Sequence, residues 1–318
     1  MTLLLAVAAQ ALHIALMLAA APTLAGALAW SQARLQGRAG PPLLAPWHRL
    51  ARLIRKQPIR PETATALSAV APLVAFASVV TVAALVPSFT LGMAFAPLAD
   101  LLVIGGLLAL ARVVLALAGF DSGAAIGGLG AGRAMAIAGL AQPALLLVVL
   151  GFALLAGGTN LDAVAAAQLD GAPGAAASWG LGFAGLVLVV LADTAEPSAG
   201  DTERAEFGML PEALTLAFSG RDLALFEAAA ALRRLVWLCL IAALFLPFGL
   251  APPEAPPLAW LIGLVCWAAK LVFLGLGLAL AEALGGPARL ARLPGLVGVA
   301  ALLGALAVAV LLASLTPA

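Results

Sequence analysis

Eight long apolar runs divide the chain, and each is close to the roughly 20 residues that an α-helix needs to cross the hydrocarbon core of a bilayer. The predicted spans are residues 3–29, 64–89, 97–119, 134–156, 175–193, 226–249, 258–284 and 295–315. The sixth is the least regular, because Arg233 and Arg234 interrupt it, and its crossing is expected to begin near Leu235. The pattern predicts an all-α, polytopic membrane helix bundle of about eight transmembrane helices.

Composition supports this fold class. The chain is 64% apolar and only 10% charged, whereas soluble domains are roughly 25% charged. No Lys or Arg precedes the first run and no clear small-residue cleavage site follows it, so we expect a retained helix rather than a signal peptide. Residues 1–318 are interpreted as one integral membrane domain.

Basic residues lie in alternate loops, which predicts the orientation of the bundle because cytoplasmic loops carry the excess of Lys and Arg. They are Arg34, Arg38, Arg49, Arg52, Arg55, Lys56 and Arg60, then Arg133, then Arg204 and Arg221, then Arg289 and Arg292. The opposite loops contain Asp162, Asp170 and Glu254 and no basic residue. We therefore expect a basic cytoplasmic loop at 30–63, a charged cytoplasmic loop at 194–225, and both termini outside.

The first cytoplasmic loop contains a predicted amphipathic helix. After Pro46, the residues Trp47, Leu50, Ala51 and Ile54 recur at helical spacing, while the basic residues fall mostly on other faces. Such a helix lies at the membrane interface. Spacing alone leaves two interpretations open, contact with anionic lipid or a docking surface for a partner.

Four motifs carry a resemblance to a known family: "RLQGRAGPPLLAPWHRLARLIRKQ", "ADLLVIGGLLALARVVLALAGFDSGAAIGGLGAGRAM", "PEALTLAFSGRDLALFE" and "KLVFLGLGLALAE". In this order they resemble the large membrane-anchor subunit of formate hydrogenlyase and hydrogenase 4 type complexes, the group 4 NiFe hydrogenases. That subunit is similar to the proton-path H subunit (subunit 1) of respiratory complex I. The resemblance covers nearly the whole chain.

The resemblance implies a membrane-anchor and coupling subunit without a redox centre of its own, in a bacterial or archaeal cytoplasmic membrane. NiFe and iron–sulfur centres would belong to partner subunits: NiFe-hydrogenase-like large and small subunits and an iron–sulfur subunit. Antiporter-like membrane subunits would carry protons or sodium. The candidate docking residues are Arg34, Arg38, Arg49, Arg52, Arg55, Lys56, Arg133, Arg221 and Asp222.

Charged residues within the spans are candidates for an ion path, because a charge at bilayer depth costs at least about 2.5–3.5 kcal/mol and usually faces water or another charge. These candidates are Asp100, Arg112, Asp193, Glu227, Lys270 and Glu282. Asp100 and Arg112 are too far apart to pair, so each requires a partner on another span. Asp193 and Glu282 lie near cytoplasmic ends, where solvation is the simpler account. Lys270 lies near mid-membrane and is expected to have a carboxylate partner or a wet cavity.

The stretch "ERAEFGMLPEALTLAFSGRD" concentrates charge that is scarce elsewhere. The resemblance places Glu206 and Glu212 at positions where relatives have glutamates, and so adds them to the candidate proton path. The same alignment leaves Ala134, Gln142 and Ala217 where relatives usually have acids. Two interpretations remain for this stretch, a solvated acidic loop or a loop that folds under the redox partner and passes protons inward.

Other features point to no further chemistry. The run "GGLGAGR" at 127–133 lacks the flanking elements of a phosphate-binding loop and is interpreted as a compact interhelical loop with close backbone approach. His13 is expected to be a hydrogen-bonded packing residue. We predict no metal site, no catalytic residue and no nucleic-acid binding in this chain. The alternatives to the anchor function are a quinone-site-forming subunit of the complex I type and a stand-alone ion transporter.

Overall fold

The protein is a bundle of membrane-spanning helices in a computed structural model that describes residues 3–170, 176–194, 214–252, 256–284 and 289–315. The helices are α1 Leu3–Leu35, α2 Ala45–Ile54, α3 Ala66–Leu85, α4 Leu101–Asp121, α5 Ala125–Ala156, α6 Leu161–Asp170, α7 Ala176–Thr194, α8 Gly220–Phe245, α9 Pro257–Leu284 and α10 Arg289–Leu315. A short 3₁₀ helix, Ala96–Leu98, precedes α4. Eight of the helices, all except α2 and α6, are long and apolar enough to cross a membrane. The predicted multi-pass helical membrane protein is confirmed.

Helix α8 is the centre of the bundle and the most buried of the eight spans. It packs against α1, α2, α3, α6, α7 and α9. Helices α4 and α5 pack against each other, and α10 covers α5 and α7. A side chain on α8 therefore contacts different helices according to the face on which it lies.

Hydrogen bonds at the helix ends tie the connections to the bundle. The carboxylate of Asp121, at the end of α4, accepts hydrogen bonds from the backbone and side chains of Thr65 and Ser68, at the start of α3. The side with these helix ends also carries α2, and we call it the α2 side. On the opposite side, the amide of Ala251 donates to the carbonyl of Phe89 at 3.0 Å, linking the connections after α8 and α3. Both sets of bonds satisfy backbone or capping groups where regular helix ends.

Two helix starts differ from the sequence prediction. Helix α5 begins at Ala125, so the "GGLGAGR" run is helical and the predicted interhelical loop is wrong. The close approach expected of these glycines is present, because a Cβ on Gly127 would lie 2.9 Å from the carbonyl oxygen of Gly119 on α4. Helix α8 begins at Gly220 and continues through Arg233 and Arg234, so the last residues of the predicted 194–225 loop are helical.

The amphipathic helix α2 is present but rotated relative to its predicted apolar face. Leu50 lines a cavity against the bundle, whereas Trp47 and Ile54 remain 39% and 58% exposed. Arg49, expected on the polar face, turns toward α8. The approach of α1 to the turn before α2 requires Gly26, because a Cβ there would lie 1.9 Å from the carbonyl oxygen of Leu43.

Candidate functional site

Three charged residues from three helices meet inside the bundle, and we call them the internal cluster: Arg112 of α4, Asp193 of α7 and Arg233 of α8. Asp193 is ion-paired with Arg112, and its Oδ2 lies 3.0 Å from Nε of Arg233. The indole Nε1 of Trp237 donates to the same Oδ2 at 2.6 Å. Three donors thus converge on one carboxylate, whose side chain is only 1% exposed.

The internal cluster lies near the middle of α4 and α8 and at the end of α7, where Asp193 is the second-last residue. Arg112 is eleven residues after the start of α4 and nine before its end, which places it about 16 Å and 13 Å from those ends at 1.5 Å per residue. Arg233 is likewise near the midpoint of α8. Asp193 does lie at the end of its helix, as expected, but the expected solvation is wrong, because the side chain is buried between Arg112 and Arg233.

A cavity of about 210 Å³ adjoins the internal cluster. Arg112, Asp193, Arg233 and Trp237 form its polar side, and apolar residues of α4, α5 and α7 form most of the rest. Gln142 of α5 also lines it and donates to the carbonyl of Gly105 at 3.3 Å. The charged residues lining the cavity carry a net charge of +1, from two arginines and one aspartate.

Asp100 lies apart from the internal cluster, at the first turn of α4. Its carboxylate accepts a hydrogen bond from the amide of Leu102 at 2.7 Å and another from the hydroxyl of Thr159. It therefore caps α4 and joins it to the connection before α6. The partner expected on another span is this threonine, which lies in a connection rather than in a span.

A second group of charges lies between α8, α1, α2 and α9. Glu227 pairs with Arg49 of α2 at 2.7 Å, and Arg234 lies on the next turns of α8. Glu282 of α9 accepts a hydrogen bond from Gln32 of α1. Arg233 and Arg234 are consecutive and so point about 100° apart, which lets α8 present one arginine to each group. A cavity of about 490 Å³ between α1, α2 and α8 is lined by Arg49, Glu227 and Arg234.

Lys270 of α9 is buried and contacts the connection that follows α8. Its Nζ donates to the carbonyl oxygen of Phe248 and lies 4.5 Å from the centre of the Phe248 ring. Helix α8 ends at Phe245, and Pro247 cannot continue it. Of the two expected surroundings, a carboxylate partner or a wet cavity, the structure shows no carboxylate among the described partners of Lys270, which are a carbonyl and an aromatic face.

Most of the predicted docking residues are exposed on the α2 side. These are Arg34, Arg38, Arg49, Arg52, Arg55, Lys56, Arg133 and Arg221. Asp222 differs: it is buried, and its Oδ2 accepts a hydrogen bond from Nε of Arg60 at 2.7 Å. This bond raises the pKa of Arg60 above its usual value. Asp222 thereby holds the 55–63 connection against the start of α8 instead of facing a partner.

Glu206 and Glu212 lie outside the residues that the structure describes. His13 is fully buried, with its ring nitrogens 2.7 Å from the hydroxyl of Ser88 and 2.7 Å from the carbonyl of Ala83, which confirms a hydrogen-bonded packing residue. Within the described ranges, no group of three or more His, Cys, Asp or Glu side chains is arranged to hold a metal ion.

The chain matches the family model described as "NADH dehydrogenase" over residues 7–313, almost its entire length. The chain belongs to the NADH dehydrogenase family. The resemblance to the subunit 1-like proteins of complex I is confirmed by this match.

Two curated relatives of this NADH dehydrogenase family member come from Escherichia coli (strain K12). Hydrogenase-4 component C is 30% identical over 69% of this chain and 69% of its own length. Formate hydrogenlyase subunit 4 is 32% identical over 45% of this chain and 47% of its own length. Among solved structures, the membrane-bound sulfane sulfur reductase, an archaeal respiratory membrane complex, contains a chain with a TM-score of 0.72 at 17% identity, covering 96% of this chain and 99% of that one. That likeness shows the shared fold.

Two residues of the site were missing from the sequence-based set. Arg233 was noted only as an interruption of the sixth span, and Trp237 was not singled out. An arginine within an apolar run is itself a signal, because such a charge requires a partner inside the bundle. The pairing with Asp193 joins positions 40 residues apart on different helices, and no local pattern indicates it.

Proposed function

We propose that this chain is the membrane-anchor and coupling subunit of a complex I-related, group 4 NiFe-hydrogenase-like oxidoreductase complex. Its soluble redox module docks on the α2 side, and antiporter-like membrane subunits adjoin the bundle. NiFe and iron–sulfur centres reside in the partner large, small and iron–sulfur subunits. Family membership and the relatives' names as a hydrogenase component and a formate hydrogenlyase subunit support this assignment.

The observation that carries the proposal is the exposed basic surface around α2, which is fixed to the bundle. No residue of α2 is fully buried, although the helix packs on α1 and α8. Two ion pairs join this surface to α8. Arg49 of α2 pairs with Glu227, and Arg60, in the connection after α2, pairs with Asp222. A partner that binds here therefore contacts elements rigidly connected to α8.

Coupling to proton or sodium movement is the second part of the proposal. The candidate path comprises Asp100, Arg112, Asp193, Glu206, Glu212, Glu227, Lys270 and Glu282. Helix α8 supports this role because it carries Glu227 beneath α2 and, about two turns further on, the arginines that face the two interior charge groups. A shift of α8 caused by the docked module would act on both groups at once.

Docking is tested by replacing Arg34 and Arg38 together with glutamate. Both are exposed, so the bundle is expected to stay in the membrane while co-purification of the soluble module falls at least tenfold, because like charges then repel across the interface. The matched control is Arg34→Lys with Arg38→Lys, which alters the same two exposed side chains but keeps both positive charges. If the module co-purifies unchanged with the Arg34 and Arg38 variant, docking at this segment is contradicted, and contact with lipid remains as its interpretation.

The orientation of the bundle is tested with fused reporters. We place the α2 side in the cytoplasm, because the basic loops lie there. A reporter that works only in the cytoplasm is expected to be active when fused after Gln57 and inactive when fused at Gly158. A reporter that works only outside the cytoplasm is expected to show the opposite pattern. The reverse activities would contradict both the orientation and docking from the cytoplasm.

The cavity of about 490 Å³ between α1, α2 and α8 favours a second candidate, a quinone-site-forming subunit. Apolar residues line most of it, and Arg49, Glu227 and Arg234 supply polar groups at one region. This combination suits a lipid-soluble head group with an apolar tail. Organic extraction of the purified complex distinguishes the two: stoichiometric quinone supports this candidate, and its absence together with hydrogenase activity supports the first.

A further inference from the structure

The internal cluster adjoins the outer face of the first half of α5, and both lie within candidate membrane-spanning helices. The cavity of about 210 Å³ reaches the bundle surface between α4 and α5, where Gly139 is exposed and Ala109 and Ala138 are partly exposed. Lipid acyl chains offer no hydrogen-bond acceptor, so two arginines beside this opening are costly unless something polar covers them. The opening therefore requires an explanation other than contact with lipid.

The charge of the cavity indicates what covers it. Asp193 neutralises one of the two arginines, which leaves one positive charge among the lining residues. Arg233 Nη2 donates to the carbonyl oxygen of Leu108 at 2.6 Å, while its Nε is buried 3.0 Å from Asp193 Oδ2 without a hydrogen bond of regular geometry. The cavity has room for one more acceptor and its lining carries one excess positive charge, and a carboxylate matches the guanidinium groups best.

The outer face of α5 provides a surface for helix packing beside this opening. Gly128, Gly132, Ala136 and Gly139 recur at spacings of four, four and three residues and lie on one face of the helix. A Cβ added to Gly128, Gly132 or Gly139 would meet no atom within 4 Å. Small residues at such spacing allow the backbone of a second transmembrane helix to approach closely.

We propose that a transmembrane helix of a neighbouring membrane subunit packs along this face of α5 and inserts an aspartate or glutamate side chain into the cavity against Arg112 and Arg233. A transmembrane helix suits this position because Arg112 is near the midpoint of the candidate span Leu101–Asp121, and one carboxylate balances the excess charge. The proposal rests on the proposed function, since it requires a complex with other membrane subunits. It assigns Arg112 and Arg233 a role in holding a neighbour, beyond any role in the ion path.

The first test uses Gly132→Leu and Gly139→Leu in the whole complex purified by a tag on this chain. Leucine favours helix more than glycine does, so the bundle itself is expected to remain folded. The neighbouring membrane subunit is expected to fall at least tenfold in amount, while the soluble module remains bound on the α2 side. The matched control is Ala268→Leu on the exposed face of α9, which packs on α1 and α8. If every membrane subunit co-purifies with both glycine variants in the same amount as with the unaltered chain, the proposal is overturned.

The second test places a photo-reactive residue at Ala136 of the otherwise unaltered complex and maps the attachment by mass spectrometry. We expect attachment to a transmembrane helix of another subunit that has an aspartate or glutamate within about two turns. Attachment to lipid, to a second copy of this chain, or to a helix without such an acid would overturn the proposal. If the soluble module fails to co-purify with the unaltered chain, the proposed docking function fails, and this mapping still decides the present inference.

The third test examines the charge directly. Replacing the mapped carboxylate with its amide is expected to weaken subunit association at least tenfold in the unaltered background and by less than threefold in the Arg112→Gln background, because the two groups act as one pair. Equal weakening in both backgrounds would show that the carboxylate does not contact Arg112, and would overturn the assigned ion pair. The thermal stability of the Arg112→Gln bundle without its neighbours is the folding control.

Discussion

Replacing Asp193 with asparagine is expected to destabilise the isolated bundle by about 3–5 kcal/mol, the usual cost of removing one partner from a buried ion pair. Arg112 and Arg233 would then face each other inside the bundle without the carboxylate that lies between them. The measurement is thermal unfolding of the purified protein in detergent, followed by loss of monodispersity or by tryptophan fluorescence. Trp237, whose indole donates to Asp193, is one of the six tryptophans that contribute to this fluorescence.

The control for Asp193 is Asp100→Asn, which makes the same chemical change at a helix cap. Asparagine caps a helix about as well as aspartate does, so this variant is expected to change stability by less than about 1 kcal/mol. Arg112→Gln is a second comparison: it leaves Arg233 and Asp193 as one balanced pair and is expected to cost less than Asp193→Asn. Equal losses in Asp193→Asn and Asp100→Asn would contradict the central position of Asp193 in the internal cluster.

The apolar pattern was sufficient to predict the eight spans, because backbone groups in a bilayer must be satisfied within each segment and every crossing helix needs a minimum length. The same reasoning failed at the start of α5. Glycines that favour loops in water are common in transmembrane helices, and here Gly127 allows α5 to approach α4 closely. The glycine-rich run is thus explained by helix packing rather than by a turn.

The internal cluster was only partly predictable. Arg112 was expected to require a partner on another span, and the structure provides Asp193. The position of Asp193 at a helix end was predicted correctly, but its burial was not, because burial depends on the neighbouring helices that cover it. The rotation of α2 also depends on contacts with other helices. The ion pair of Arg49 with Glu227 and the packing of Leu50 together fix the orientation of α2. The spacing of apolar residues in the sequence indicates the packing but not the ion pair.

Lys270 is expected to affect both stability and coupling, and two substitutions separate these effects. Its contact with Phe248 supplies a donor to a carbonyl just beyond the end of α8, where helix carbonyls lack partners within the helix. Lys270→Met removes this donor, so we expect a loss of about 1.5–3 kcal/mol, the usual contribution of a hydrogen bond to a charged group. Lys270→Arg retains a charged donor and is expected to keep most of that stability.

The arginine variant decides whether Lys270 belongs to the ion path. Arginine holds its proton at any physiological pH, whereas a buried lysine is able to release one. We therefore expect both Lys270→Met and Lys270→Arg to lower the number of ions moved per electron transferred, measured in inverted membrane vesicles that contain the whole complex, while only Lys270→Met lowers the unfolding temperature. Ala268→Leu, two residues away on the exposed face of α9, controls for general disturbance of the helix. If Lys270→Arg moves as many ions per electron as the unaltered complex, Lys270 does not belong to the ion path, and its role is to fix the end of α8.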